Sequence, residues 1–96
     1  MKARLVSTAE IELQEATEFY EAAEQGLGAM FLDEVEAALA RIEAHPLAWT
    51  PLSPRTRRCR THRFPYGVFY QIRGDEIVVL SVMDLRRDPK RWEEYL

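Results

Sequence analysis

The sequence predicts an α+β fold: an N-terminal strand, an antiparallel helical hairpin packed on a mostly antiparallel sheet of about four strands, and a short C-terminal helical segment. Three observations predict it. Apolar residues recur at three- and four-residue steps up to His45, they alternate with period two from Val68 onward, and glycine and proline mark each change of element. With 96 residues and 47% apolar side chains, the chain is expected to form one domain spanning residues 1–96, too short for a multidomain enzyme.

Residues 3–6 read as a short apolar strand. Ser7 then stands three residues before Glu10, the spacing of a helix capping box, so a helix is predicted over residues 8–25. Ala9, Leu13, Ala16, Tyr20 and Ala23 draw its apolar stripe, and the outer face is almost wholly glutamate. Gly26 and Gly28 supply the flexible or positive-φ backbone for a reversal. A second helix carries Phe31, Val35, Ala38, Leu39 and Ile42 inward and ends at His45, because Pro46 disfavours helix at the residue before it. So short a link makes the pair an antiparallel hairpin.

Pro46, Pro51 and Pro54 surround Trp49 in a loop too proline-rich for a central strand. The basic stretch 57–64 is expected to be a strand, with Pro65-Tyr66-Gly67 as its tight connection to the next. Val68, Tyr70 and Ile72 then alternate, Gly74-Asp75-Glu76 supplies turn residues, and the apolar run 77–83 completes a β-hairpin. Asp88-Pro89 suits the start of the C-terminal helical segment, which carries Trp92 and Tyr95.

Charge is segregated along the chain. Against a net charge of −3, residues 1–54 hold 3 basic and 10 acidic side chains, and residues 55–96 hold 10 basic and 6 acidic. The N-terminus runs into an acidic stretch instead of an apolar one, so neither signal peptide nor transmembrane helix is visible and a cytoplasmic location is expected. Cys59 has no second cysteine to bridge and no base beside it, and is assigned no chemistry. The glutamates of the first helix creep around its cylinder as a solvated face, and no glycine-rich phosphate loop or zinc motif exists. No metal and no cofactor are expected.

Phe19-Tyr20, Leu27-Gly28 followed by Phe31, His45-Pro46, Phe64-Pro65-Tyr66 leading into Val68-Phe69-Tyr70, and the run 77–82 continuing to Arg86-Arg87-Asp88-Pro89 and Trp92 appear in one order. In that order and spacing the chain resembles the RelE/ParE toxin superfamily of bacterial type II toxin–antitoxin systems, often labelled plasmid stabilisation proteins. The resemblance covers nearly the whole chain. It implies two alternative activities. ParE-like members inhibit DNA gyrase by binding it, whereas RelE-like members are ribosome-dependent mRNA endoribonucleases, and both are neutralised by a cognate antitoxin.

Metal-free RNA cleavage needs a proton acceptor, a cation over the phosphate and a proton donor within hydrogen-bond reach. RelE-like enzymes place an arginine where the strand after the tyrosine begins, and this chain has Gly67 there. Met83-Asp84 stands where a histidine or basic residue often follows the last strand. His45 reads as a helix-terminal residue meeting the last carbonyls, and His62 as a surface strand histidine or a general base. The resemblance with these departures implies a ParE-like binding toxin with no catalytic residues, no membrane partner, and contact with DNA only indirectly through its antitoxin. In the alternative ribonuclease, acting on ribosome and mRNA, His62, Arg86, Arg87 and Tyr95 carry catalysis.

Arg86, Arg87, Trp92 and Tyr95 are the expected target-binding residues, because Trp and Arg dominate interface energetics when buried against a partner. Arg55, Arg57, Arg58, Arg60 and Arg63 form a basic strip suited to phosphate, or to carboxylates of this chain or of an antitoxin. Arg57, Arg58, Arg60 and Arg63, with Phe69, are the expected antitoxin-binding residues.

Overall fold

The computed structural model describes residues 1–87 and Glu93. The elements are β1 (Ala3–Leu5), α1 (Ser7–Ala23), α2 (Leu27–Ala44), β2 (Thr50–Pro51), β3 (Thr56–Arg60), β4 (Tyr66–Arg73) and β5 (Glu76–Asp84). They form one five-stranded sheet in the order β1-β5-β4-β3-β2. β1 runs parallel to β5, and every other neighbouring pair is antiparallel. The expected α+β arrangement is present with one strand more than predicted. That strand is the two-residue β2, whose Pro51 is tolerated because β2 is an exposed edge where a missing N–H costs no ladder bond.

The capping box does not form. Val6 is still extended and continues the β1 ladder, donating its N–H to Val79 O at 3.1 Å, while its own carbonyl accepts the first helical bond from Glu10. The chain passes from strand to helix without a spare residue, and Ser7 falls inside the first turn instead of at the cap.

Ala9 and Ala16 of α1 and Phe31, Val35, Ala38 and Ile42 of α2 are buried, as their spacing predicts. They face Cys59, Val68, Tyr70, Ile77, Val79 and Val82 of the sheet. Complete burial of a side chain such as Phe31 or Ile42 contributes roughly 1.5–3 kcal/mol.

The two glycines of the hairpin act for different reasons. Gly26 takes φ +89° and turns the chain, whereas Gly28 lies inside α2 where an added Cβ would stand 2.7 Å from Thr17 O and 2.9 Å from Glu21 Cβ. That close approach brings the Glu21 carboxylate onto the open N-terminus of α2, where it accepts hydrogen bonds from the N–H groups of Gly26 and Gly28 at 3.0–3.1 Å.

The β3–β4 connection also differs from the expected one. β3 stops at Arg60, β4 begins at Tyr66, and residues 61–65 form the turn, closed by Thr61 N–H on Tyr66 O at 3.0 Å. The alternation that puts Val68 and Tyr70 against the helices already starts at Tyr66, which is buried in the same cluster, so Tyr66 and Gly67 belong to the strand. Farther on, Phe69 pairs with Ser81 and Tyr70 with Val79, which leaves Leu80 as the extra residue of a β-bulge. Glu12 reaches this irregularity from α1. Its carboxylate accepts the Ser81 hydroxyl at 2.9 and 3.0 Å and the Val82 N–H at 3.1 Å.

The predicted solvated glutamate face therefore loses two members, Glu12 and Glu21, to structural bonds. The helical segment expected from Asp88-Pro89 lies outside the described residues. No helix among those described is long and apolar enough to cross a membrane.

Gly28→Ala is expected to lower stability by about 1–3 kcal/mol in chemical denaturation, since the clash is with a backbone carbonyl that cannot swing aside. Glu12→Ala, which strands the buried Ser81 hydroxyl and the Val82 N–H, is expected to cost about 1–3 kcal/mol in the same measurement, and Glu12→Gln less.

Candidate functional site

Four aromatic rings form the floor on which the candidate site rests. Tyr20 of α1, Phe31 of α2, Phe64 of the turn and Tyr66 of β4 meet with ring centroids 4.7–6.1 Å apart, mostly edge to face. Burial first, then the neighbouring Tyr20 and Asp84, pushes the Tyr66 hydroxyl up to about 12, so it stays protonated at neutral pH.

The turn above these rings is tied down at both ends. The Thr61 hydroxyl donates to Phe64 O at 2.6 Å, and Leu85 N–H, just past β5, donates to Pro65 O at 2.7 Å. From α2, Glu34 Oε1 accepts the N–H groups of both His62 and Arg63, at 2.9 and 3.0 Å. The backbone donors, Arg63 first, with the Arg63 guanidinium nearby, hold the Glu34 carboxyl below its usual value against the opposing effect of burial.

Two grooves open beside this turn. One, of about 450 Å³, is lined by Arg60, His62, Arg63, Tyr66, Leu85 and Arg86 among others. The other, of about 380 Å³, runs between α1 and the end of β5, with Glu12, Glu15, Phe19, Asp84, Arg86 and Arg87 on its walls. Arg86 and Tyr66 line both.

Arg86 is fixed by Asp84. The carboxylate accepts the Arg86 N–H at 2.9 Å, Nε at 3.2 Å and Nη2 at 3.0 Å. These contacts, the guanidinium first, hold the Asp84 carboxyl below its ordinary value. A depressed carboxyl contributes its stabilisation above the unfolded value and loses it only as pH falls through the lower folded one, so the clamp is intact throughout the neutral range.

The expected site residues divide into distinct environments. His62, Arg60, Arg63 and Arg86 share one groove, and Arg87 lines the other. His45 is an exposed helix-terminal residue away from both. Arg57 serves the Pro-rich loop, donating through Nη1 to Leu47 O at 3.0 Å and Trp49 O at 2.8 Å, while the Tyr70 hydroxyl bonds Pro46 O beside it. Phe69 is fully buried, on the face of the sheet opposite Val68 and Tyr70.

Arg58 lies half-buried on that same face, its stem laid over Gly67, where an added Cβ would sit 3.1 Å from its Cγ and Cδ. Trp92 and Tyr95 lie outside the described residues. Among those described, the ion pairs are Arg4–Glu76 and Arg86–Asp84, so no side chain of the basic strip forms an ion pair with a described carboxylate. No cluster of three or more metal-ligating side chains occurs among them.

Glu34 and Asp84, which set the turn and the arginine, carry no sequence signal as site residues. Each depends on partners in another element or on the local turn after β5, and in sequence Glu34 reads as one more exposed helical acid.

A family model described as ParE toxin of type II toxin-antitoxin system, parDE, matches residues 4–89. Among solved structures, one of the chromosomal ParDE TA system from P. aeruginosa shares the fold with a TM-score of 0.65 at 18% identity, covering 88% of this chain and 95% of that chain. No curated protein gives a significant match. With 86 of its 96 positions inside the family model, the chain belongs to the ParE toxin family of type II toxin–antitoxin systems.

Proposed function

We propose that the chain is a toxin that inhibits DNA gyrase by binding it, performs no chemistry of its own, and is neutralised by a cognate antitoxin. The observation that carries the binding reading is the Arg86–Asp84 clamp. A cation held by a neighbouring carboxylate is oriented for recognition, and that carboxylate partly offsets its field at a developing phosphorane. Gly67 supports the same reading, because the place of the ribonuclease arginine is covered by the stem of Arg58. Arg86 and Arg87, with Trp92 and Tyr95, are assigned to the target.

The antitoxin is assigned to the helical hairpin, the sheet edge and the basic side chains of β3 and the turn. Ile11 and Phe19 of α1 are 54% and 67% exposed, and Phe19 borders the groove beside β5, which offers an amphipathic partner an apolar track. Its binding buries these residues and supplies the missing negative charge.

One observation favours a second reading, an mRNA endoribonuclease acting on the ribosome. His62 shares its groove with Arg60, Arg63 and Arg86, which brings a proton acceptor among three cations.

Expression in a bacterium without antitoxin is expected to induce the DNA-damage response before any fall in protein synthesis, with His62→Ala equally toxic. Asp84→Asn separates the readings further. It loosens Arg86 and lowers toxicity in a gyrase binder, whereas in a ribonuclease it frees a cation and preserves or raises cleavage; early translational arrest with cut mRNA overturns the gyrase reading. Co-expressed antitoxin is expected to co-purify with the chain at moderate salt, and Trp92→Ala to reduce toxicity while leaving that co-purification intact.

A further inference from the structure

Among the described residues, the only buried side-chain nitrogen or oxygen without a hydrogen-bond partner is Nε of Arg58. Arg58 stands in the middle of β3 opposite the fully buried Phe69, with its Cγ and Cδ over Gly67 and Leu85 close to the same point. Among the described residues, the side-chain acceptors on its sheet face are engaged elsewhere. Gln71 Oε1 takes Arg73 at 2.9 and 3.1 Å, and Glu76 pairs with Arg4 at 2.7 Å.

The next side chain on that face of β3 is Arg60, another cation, and burial together with Arg60 loosens the hold of Arg58 on its proton. A guanidinium left partly desolvated and unpaired is unfavourable, and an incoming anion that pairs with it recovers the desolvation already incurred.

We propose that Arg58 is the anchor for one carboxylate of an acidic segment of a protein partner, with Arg60 as the contact at its rim. Arg58 is half-buried, and its Nε is withdrawn from solvent without a partner. A glutamate or aspartate on a flexible stem can reach a single half-buried guanidinium alone, and its planar carboxylate matches the guanidinium fork, whereas a nucleic-acid backbone presents successive phosphates to a row of exposed cations. The identity of that partner as the antitoxin rests on the function proposed above; the carboxylate anchor itself does not.

The test has two arms. In the free protein, the Nε–Hε resonance of Arg58, identified by its loss in Arg58→Met, is followed by NMR during titration with a glutamate-rich peptide and, separately, with a single-stranded RNA oligonucleotide. A saturable shift with the peptide is expected. A shift with RNA alone reassigns the site to a polyanion and overturns the proposal, as does the absence of a shift with either.

In the complex, Arg58→Met is expected to weaken antitoxin binding by about thirtyfold or more and to lessen its salt dependence, with Arg55→Met, an exposed arginine before β3, as the control. Free Arg58→Met is expected to melt no lower than the unmodified protein, because an apolar chain of similar length replaces an unpaired charge. A lowered melting temperature with unchanged affinity makes Arg58 a structural residue and overturns the proposal. If the unmodified protein captures no antitoxin, the proposed function fails, and the peptide titration still decides the role of Arg58.

Discussion

The contact among Tyr20, Phe31, Phe64 and Tyr66 is the constraint on which the functional end of the molecule depends. Each ring comes from a different element, so the four together fix both helices, the 61–65 turn and the start of β4 relative to one another. Edge-to-face pairs of this kind add about 0.5–1.5 kcal/mol each beyond the burial of the rings. With that floor in place, the turn needs only Glu34 and Thr61 to hold its backbone, and its basic side chains are left free to point outward.

The charges that the sequence divides in two fall on different elements of the fold. The acidic first half builds the helical layer, and two of its carboxylates are spent inside it, Glu12 at the β-bulge and Glu21 at the start of α2. Of the second-half arginines, Arg63 stands in the turn, Arg86 and Arg87 follow β5, Arg58 and Arg60 lie on the sheet face opposite the helices, and Arg57 serves the Pro-rich loop. Acidic helix and basic strand surfaces thus lie on different elements and meet in the groove where Glu12 and Glu15 stand across from Arg86 and Arg87, which favours a partner that wraps around the domain over one that meets a single face.

Periodicity reveals the secondary structure because burial on one side repeats with the geometry of the element. Ala9 and Ala16, Phe31 through Ile42, and Val68 through Ile72 were therefore readable, as was the Gly74 turn, which takes φ +63°. Features that depend on partners distant in sequence were not. Ser7 and Glu10 have capping spacing, but the ladder bond of Val6 to Val79, across more than seventy residues, determines where the helix begins. The same holds at the site. The arginines could be counted in advance, yet the sequence does not distinguish Arg57, bound to loop carbonyls, from Arg58, left without an acceptor, or from Arg60, exposed at a groove. Which of them is available to a partner is a property of register and packing.

The parallel pairing of β1 with β5 bears on when the protein becomes competent during its synthesis. β5 is the second strand of the sheet, bonded to β1 on one side and β4 on the other, and it is the last of the five strands to leave the ribosome. Until it does, the sheet available to the helical hairpin is limited to β2, β3 and β4, β1 has no neighbour, and neither groove has its second wall. Local contacts within the hairpin can form early, but the non-local ladder forms only once nearly the whole chain is available. A nascent or interrupted chain therefore lacks both grooves, which close only when translation of the domain is all but complete.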